Sequence, residues 1–182
     1  MPNWCDNVVE ISGTKEQIDR VQKAFAEGRF CDEFLPIPEE LKGTTAPSRE
    51  PEATREALIE KYGAADWYDF CVNNWGTKWD VGGDEGGYCP GRDSDEYITL
   101  SFQSAWAPPT GIYPILEELG MTVRAYYYEP GCAFAGIYED GCDECYSLEG
   151  SADEVEADIP ESLDEMFGIV ESMREYEEEN EE

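Results

Sequence analysis

Histidine is missing altogether, and its absence removes the commonest general base at neutral pH, the commonest zinc ligand, and any Ser–His or Cys–His nucleophile pair. Cations are scarce. Against 43 Asp and Glu stand 12 Lys and Arg, a formal net charge of −31. Such a field repels phosphate backbones and anionic membrane surfaces. It excludes direct nucleic-acid binding unless a metal intervenes, and it points to cationic partners. No apolar stretch approaches the roughly 20 residues needed to span a bilayer, and no signal-type segment follows Met1, so a cytoplasmic protein is expected. The glycine-rich run G-G-D-E-G-G lacks the lysine of a phosphate loop and puts carboxylates where a phosphate would sit.

What is present argues for a folded domain. With 41% hydrophobic and 13% aromatic residues, the 182-residue chain can bury a substantial core despite its charge. Its seven cysteines are odd in number and, in a reducing cytosol, do not read as a disulfide framework. The densest apolar segment runs from Trp67 to Asp80, with three of the five tryptophans in fourteen residues. Asp66 is its N-cap, Trp67, Phe70 and Cys71 share a helical face, and Gly76 ends the helix, with Trp75 and Trp79 flanking the exit. A core role is preferred for these tryptophans over an aromatic recognition surface.

In chain order, Trp4 to Ile11 alternates as a strand with Cys5, Asn7, Val9 and Ile11 on one side. Thr14 and Gln17 form a capping box for a helix carrying Ile18, Val21 and Phe25, which Gly28 stops. Phe34 to Pro38 reads as edge or extended, Lys42 to Pro51 as a loop, Glu52 to Tyr62 as a helix, and Val81 to Asp95 as a long surface loop. Tyr97 to Trp106 is a strand with Ile98, Leu100, Phe102 and Trp106 inward. A helix through Ile112, Ile115, Leu116 and Leu119 follows, then strands at Met121 to Tyr128, Ala133 to Tyr138 and Glu144 to Leu148. Ser151 and Glu154 cap a tail that breaks near Pro160 and resumes with Leu163, Met166, Phe167, Val170 and Met173 at helical spacing. The expected fold is α+β: a ferredoxin-like, mostly antiparallel sheet with helices on one face, occupying residues 1–150 with an insertion at about 39–95. An acidic C-terminal helical extension, 151–182, packs on it.

Four motifs carry a resemblance: M-P-N-W-C-D-N at Met1 to Asn7, F-L-P-I-P at Phe34 to Pro38, N-W-G-T-K-W-D at Asn74 to Asp80, and S-A-W-A-P-P at Ser104 to Pro109 with a following Y-Y-E-P-G turn. They are similar to those of the YubB-like family of phage and plasmid proteins. The resemblance covers residues 1 to about 140. It implies a ferredoxin-like domain and a mobile-element origin, and it carries no catalytic residue onto this chain.

Cys142-Asp-Glu-Cys145 has C-x-x-C spacing, which can turn two sulfurs toward one point, but no second such pair exists. Together with the loop around Asp84, it is the basis of an alternative reading as a metal-dependent enzyme or metal-binding module. Asp84, Glu85, Asp93 and Asp95 do not match an EF-hand loop. No catalytic residue and no cofactor is assigned.

The charge itself is the stronger lead. Between Asp153 and Glu182 there are fourteen acidic residues and one cation, Arg174. Thirty-one charges on one face would match on the order of 50 Å of duplex, against roughly 40 Å across a compact chain of this length. The sequence therefore predicts a non-enzymatic phage- or plasmid-type protein that mimics nucleic-acid charge. Its partner would be a basic surface of a host nucleic-acid-binding defence protein, contacted through Asp84, Glu85, Asp93, Asp95, Asp164, Glu165, Glu171, Glu175, Glu178 and Glu179. Solubility alone is the plainer alternative.

Overall fold

The first strand organises everything else. In the computed structural model, which describes residues 3–83 and 87–180, β1 (Trp4–Ser12) turns Cys5, Asn7, Val9 and Ile11 into the interior, as its alternation requires. It pairs antiparallel with two neighbours, β3 (Tyr97–Ala105) and β4 (Thr122–Glu129). The capping box closes as expected: Thr14 N donates to Gln17 Oε1 at 2.7 Å and Gln17 N to Thr14 Oγ1 at 3.3 Å. Helix α1 (Lys15–Ala26) then lays Ile18, Val21, Ala24 and Phe25 on the sheet.

Among the described residues the sheet has six strands, which include β2 (Gly87–Ser94), β5 (Phe134–Glu139) and β6 (Cys142–Ser147), in the order β2-β3-β1-β4-β5-β6, with every neighbouring pair antiparallel. Read through β1, α1, β2 (Gly87–Ser94), β3, α6 (Tyr113–Glu118) and β4, this is the ferredoxin-like arrangement. The hairpin of β5 (Phe134–Glu139) and β6 (Cys142–Ser147) extends it beyond β4. β2 corrects the expected loop at Val81 to Asp95. Its glycines and proline show no alternation, yet pairing with β3 holds residues 87–94 as an irregular edge strand with two register shifts. The insertion is therefore shorter than 39–95 at its C-terminal end and starts earlier. It comprises α2 (Phe30–Phe34), α3 (Glu39–Lys42), α4 (Glu52–Tyr62) and α5 (Trp67–Asn74).

Two cores lie on opposite faces of the sheet. One gathers Val9, Ile11, Ile18, Phe25, Phe30, Trp75, Leu100, Ile112, Leu116 and Val123 beneath α1, α2, α5 and α6. The other places Tyr126, Ala135 and Leu148 against Val155, Ile159, Leu163, Ile169 and Val170 of the tail. The parity of β4 makes this possible: Val123 and Ala125 face the first core, Tyr126 and Tyr128 the second. Helices thus cover both faces, and among the described residues those on the second face belong to the tail.

Among the described residues the tail forms three helices, α7 (Ala152–Asp158), α8 (Glu161–Phe167) and α9 (Ile169–Asn180). Pro160 separates the first two. Gly168, in a left-handed conformation at φ 64°, breaks the run that apolar spacing alone would join from Leu163 to Met173. Among the described residues, no helix is long and apolar enough to cross a membrane.

Candidate functional site

On α9 the apolar residues Ile169, Val170 and Met173 turn into the second core, which leaves Glu171, Glu175, Glu178 and Glu179 on the outer side at spacings of four, three and one. All four are exposed, and none forms an ion pair among the described residues. Over about 12 Å of helix axis they place one carboxylate per roughly 4 Å, close to the ~3.4 Å of axis per charge on one DNA strand. Repulsion between such neighbours costs a few tenths of a kcal/mol per pair. Burial of each large apolar side chain on the opposite face contributes roughly 1.5–3 kcal/mol, so packing holds the ridge in place.

Other tail carboxylates work internally. Arg174 bridges Asp153 at 3.1 Å and Glu156 at 2.5 Å, tying α9 to α7. Glu177 accepts from Ala152 N at 2.8 Å. Glu154 completes the second capping box, accepting from Ser151 N at 2.9 Å, and this bond holds its carboxyl below the usual range. Asp164, expected on the binding face, is half-buried and accepts from Val170 N at 2.8 Å, spanning the Gly168 break. Glu165 is exposed.

Of the carboxylates expected in a second acidic patch, Asp95 alone has a described side chain, and it does not join this ridge. Asp84 and Glu85 lie outside the described residues, as does the side chain of Asp93. Asp95 is exposed at the β2–β3 turn, 3.7 Å from Lys15 and 3.5 Å from Arg92. That turn sits by the start of α1, on the first face. The tail packs on the other face over β4 and β5, with β2 and β4 three strand spacings, or roughly 14 Å, apart. Asp95 and α9 therefore cannot present one surface.

Cys142 and Cys145 are both exposed, in strand β6 and not in a turn. Residues three apart in a strand point to opposite faces, so the two sulfurs do not converge. Among the described residues no group of three or more His, Cys, Asp and Glu is placed to hold a metal ion. Burial pushes the Cys5 and Cys71 thiols up to about 12, which disfavours the thiolate a nucleophile would need.

A second surface was missed by the preference for an all-core tryptophan segment. Trp75 is core, its indole donating to Leu35 O at 2.8 Å. Trp79 is 41% exposed, and Trp4 and Trp106 lie open beside it. The chain at Gly76 runs against the 108–111 segment. Gly76 has φ 90°, a Cβ there would meet Pro108 O at 2.7 Å, and Gly111 N donates to Trp75 O at 3.1 Å. Thr77 Oγ1 then donates to Ala105 O at 3.1 Å. This clamp reverses the chain so that Lys78 and Trp79 emerge beside the end of β3. There Trp106, expected inward, turns outward with φ 71°. The Lys78 ammonium sits 4.3 Å from the Trp79 ring centre, 5.2 Å from Trp106 and 5.7 Å from Tyr68. The one signal available in sequence was the lysine between the tryptophans.

No protein-family model matches the chain, and no curated protein matches it in sequence. Among solved structures, it is similar to a protein api92 from Yersinia pseudotuberculosis, of the family model DUF1281. The two are 11% identical, with a TM-score of 0.44 over 83% of this chain and 99% of that one.

Proposed function

We propose that this chain is a non-enzymatic, acidic interaction protein whose α9 ridge occupies a basic groove of a nucleic-acid-binding protein by reproducing the charge spacing of a phosphate backbone. The observation that carries this reading is the row of Glu171, Glu175, Glu178 and Glu179, none of them ion-paired among the described residues because Arg174 is engaged by Asp153 and Glu156, and held on a helix whose other side is a packed core. A tail serving only solubility gains nothing from that core. The net charge of −31 adds electrostatic steering toward a cationic partner. With the motif resemblance to phage and plasmid proteins, the reading extends to an anti-defence inhibitor in the host cytoplasm, directed at a restriction or CRISPR-type protein.

The test is capture of partners from a host lysate at low salt, elution by a salt gradient, and competition with duplex DNA. A basic nucleic-acid-binding protein released by salt and displaced by DNA is the expected result. Replacing the four ridge glutamates by Gln should weaken that complex about ten- to a hundredfold at low salt and flatten its salt dependence. Partners indifferent to salt and to these substitutions would sink the proposal.

A further inference from the structure

Three segments far apart in sequence meet at one end of the sheet: Trp4 at the start of β1, Lys78 and Trp79 after α5, and Trp106 at the end of β3. Trp4 and Trp79 lie 6.3 Å apart between ring centres, and Trp106 and Tyr68 6.4 Å apart at a near-perpendicular tilt. Lys78 stands between these pairs and contacts the rings of Tyr68, Trp79 and Trp106. Lys15, Lys23, Lys42 and Lys61 each have a carboxylate within 4 Å. Among the described residues Lys78 is the one lysine that does not, in a chain with 43 carboxylates to offer. Its ammonium is held by aromatic faces, the geometry by which proteins recognise ammonium groups.

Beside it opens a cleft of about 380 Å³ lined by Trp67, Tyr68, Trp106, Lys78, Asp66 and Asp69. Aromatic walls with a carboxylate at the rim suit a cation, and an anion would meet both those aspartates and the field of the whole chain. Asp66 is already committed, accepting from Ser48 N and Asp69 N, whereas the side chain of Asp69 is exposed. The backbone at Trp106 is left-handed, a conformation unfavourable for a bulky residue, and it is what turns that ring toward Lys78.

We infer that the Tyr68–Trp79–Trp106 box is a receptor for a lysine ammonium of a basic partner protein, and that Lys78 fills it as an internal stand-in while the protein is free. Docking exchanges one ammonium for another. This rests on the reading of a basic partner, but the site is separate from the α9 ridge and its test needs no partner.

Wild-type protein and Lys78→Met are titrated with tetramethylammonium chloride at ionic strength held constant with sodium chloride. The indole N–H signals and the Lys78 ε-methylene protons are followed by NMR. In the wild type, ring currents should hold the ε-methylene signal upfield, and it should return toward an ordinary lysine position as the Trp79 and Trp106 signals saturate. Lys78→Met, with no resident ammonium, should bind about tenfold more tightly, and Trp106→Ala should lose saturable binding. A wild-type ε-methylene signal that stays in place at saturating probe overturns the exchange, as does equal or weaker binding by Lys78→Met. The four-Gln ridge variant should titrate like wild type. Failure here with DNA-competed, salt-sensitive capture intact removes the box and leaves the ridge. Failure of capture with the exchange intact removes the ridge reading and, with it, the basic partner as the source of the lysine, and leaves the box as an ammonium receptor.

Discussion

Asp80 and Glu175 carry the same functional group in the same strongly acidic chain, and they are used in opposite ways. Asp80, largely removed from water, accepts from Cys31 N at 2.7 Å, Asp32 N at 2.9 Å and Val81 N at 2.8 Å, pinning the start of α2 to the segment after the tryptophans. Asp66 serves Ser48 N and Asp69 N, and Glu129, 1% exposed, serves Gly131 N and Cys132 N. Each of these closes a turn that would otherwise bury unpaired backbone donors. The side chains of Glu171, Glu175, Glu178 and Glu179 on α9 form no ion pair among the described residues and face solvent. A net charge summed over the chain therefore mixes two populations: carboxylates that hold the fold together, and carboxylates that the fold displays.

The tryptophans divide in the same way, which supplies the largest expected effect. Trp75→Ala should lose about 4 kcal/mol through the cavity and the unpaired Leu35 carbonyl, whereas Trp79→Ala should cost under about 1 kcal/mol. Denaturant unfolding of the two variants measures this, and equal losses would erase the distinction between core and surface tryptophan. Next, Asp80→Ala should cost about 3 kcal/mol, or roughly 6–12 °C in Tm, by orphaning three backbone donors.

The pH response is third. Burial raises the Asp80 carboxyl above its usual value against the opposing pull of its three N–H partners, and partial desolvation of the otherwise exposed Asp69, with the charge of Asp66 nearby, raises that carboxyl too. A raised folded-state value means the native state holds the proton more tightly. Stability from these two groups is therefore complete below the ordinary aspartate range and is lost as pH rises through the raised value. Relief of charge repulsion acts in the same direction, so Tm should climb on acidification from neutrality toward the top of the carboxylate range. Further acidification should reverse the climb as Asp19 and Glu33, held low by their cationic partners, are protonated. Asp80→Asn should flatten the first part of that curve in thermal melts. The smallest effect belongs to the ridge. The four-Gln variant should stay within about 0.5 kcal/mol of wild type, and a larger loss would show that those glutamates support the fold after all.

Elements whose cause is local were legible. The alternation of β1, the capping boxes at Thr14 and Ser151 and the Asp66 cap all involve residues within four positions of one another. β2 was not, because Gly87 to Ser94 is a strand only by virtue of β3. Trp106 continues the period of β3, and its outward turn follows from the chain reversal into Ala107 and Pro108. Asp164 and Glu165 are adjacent acids in sequence, yet one bridges a helix break and the other faces water.

Periodicity, caps and total charge are properties of neighbouring residues or of simple sums, so they are present before the chain folds. Which carboxylates are consumed by backbone donors, which tryptophans surround Lys78, and which face of the sheet the tail covers depend on contacts between residues tens of positions apart. Strand pairing and core packing create those contacts. The acidity of this protein was written in its composition, and the place where that acidity can act was set by packing α8 against β4 and β5 and α9 against α7 and α8.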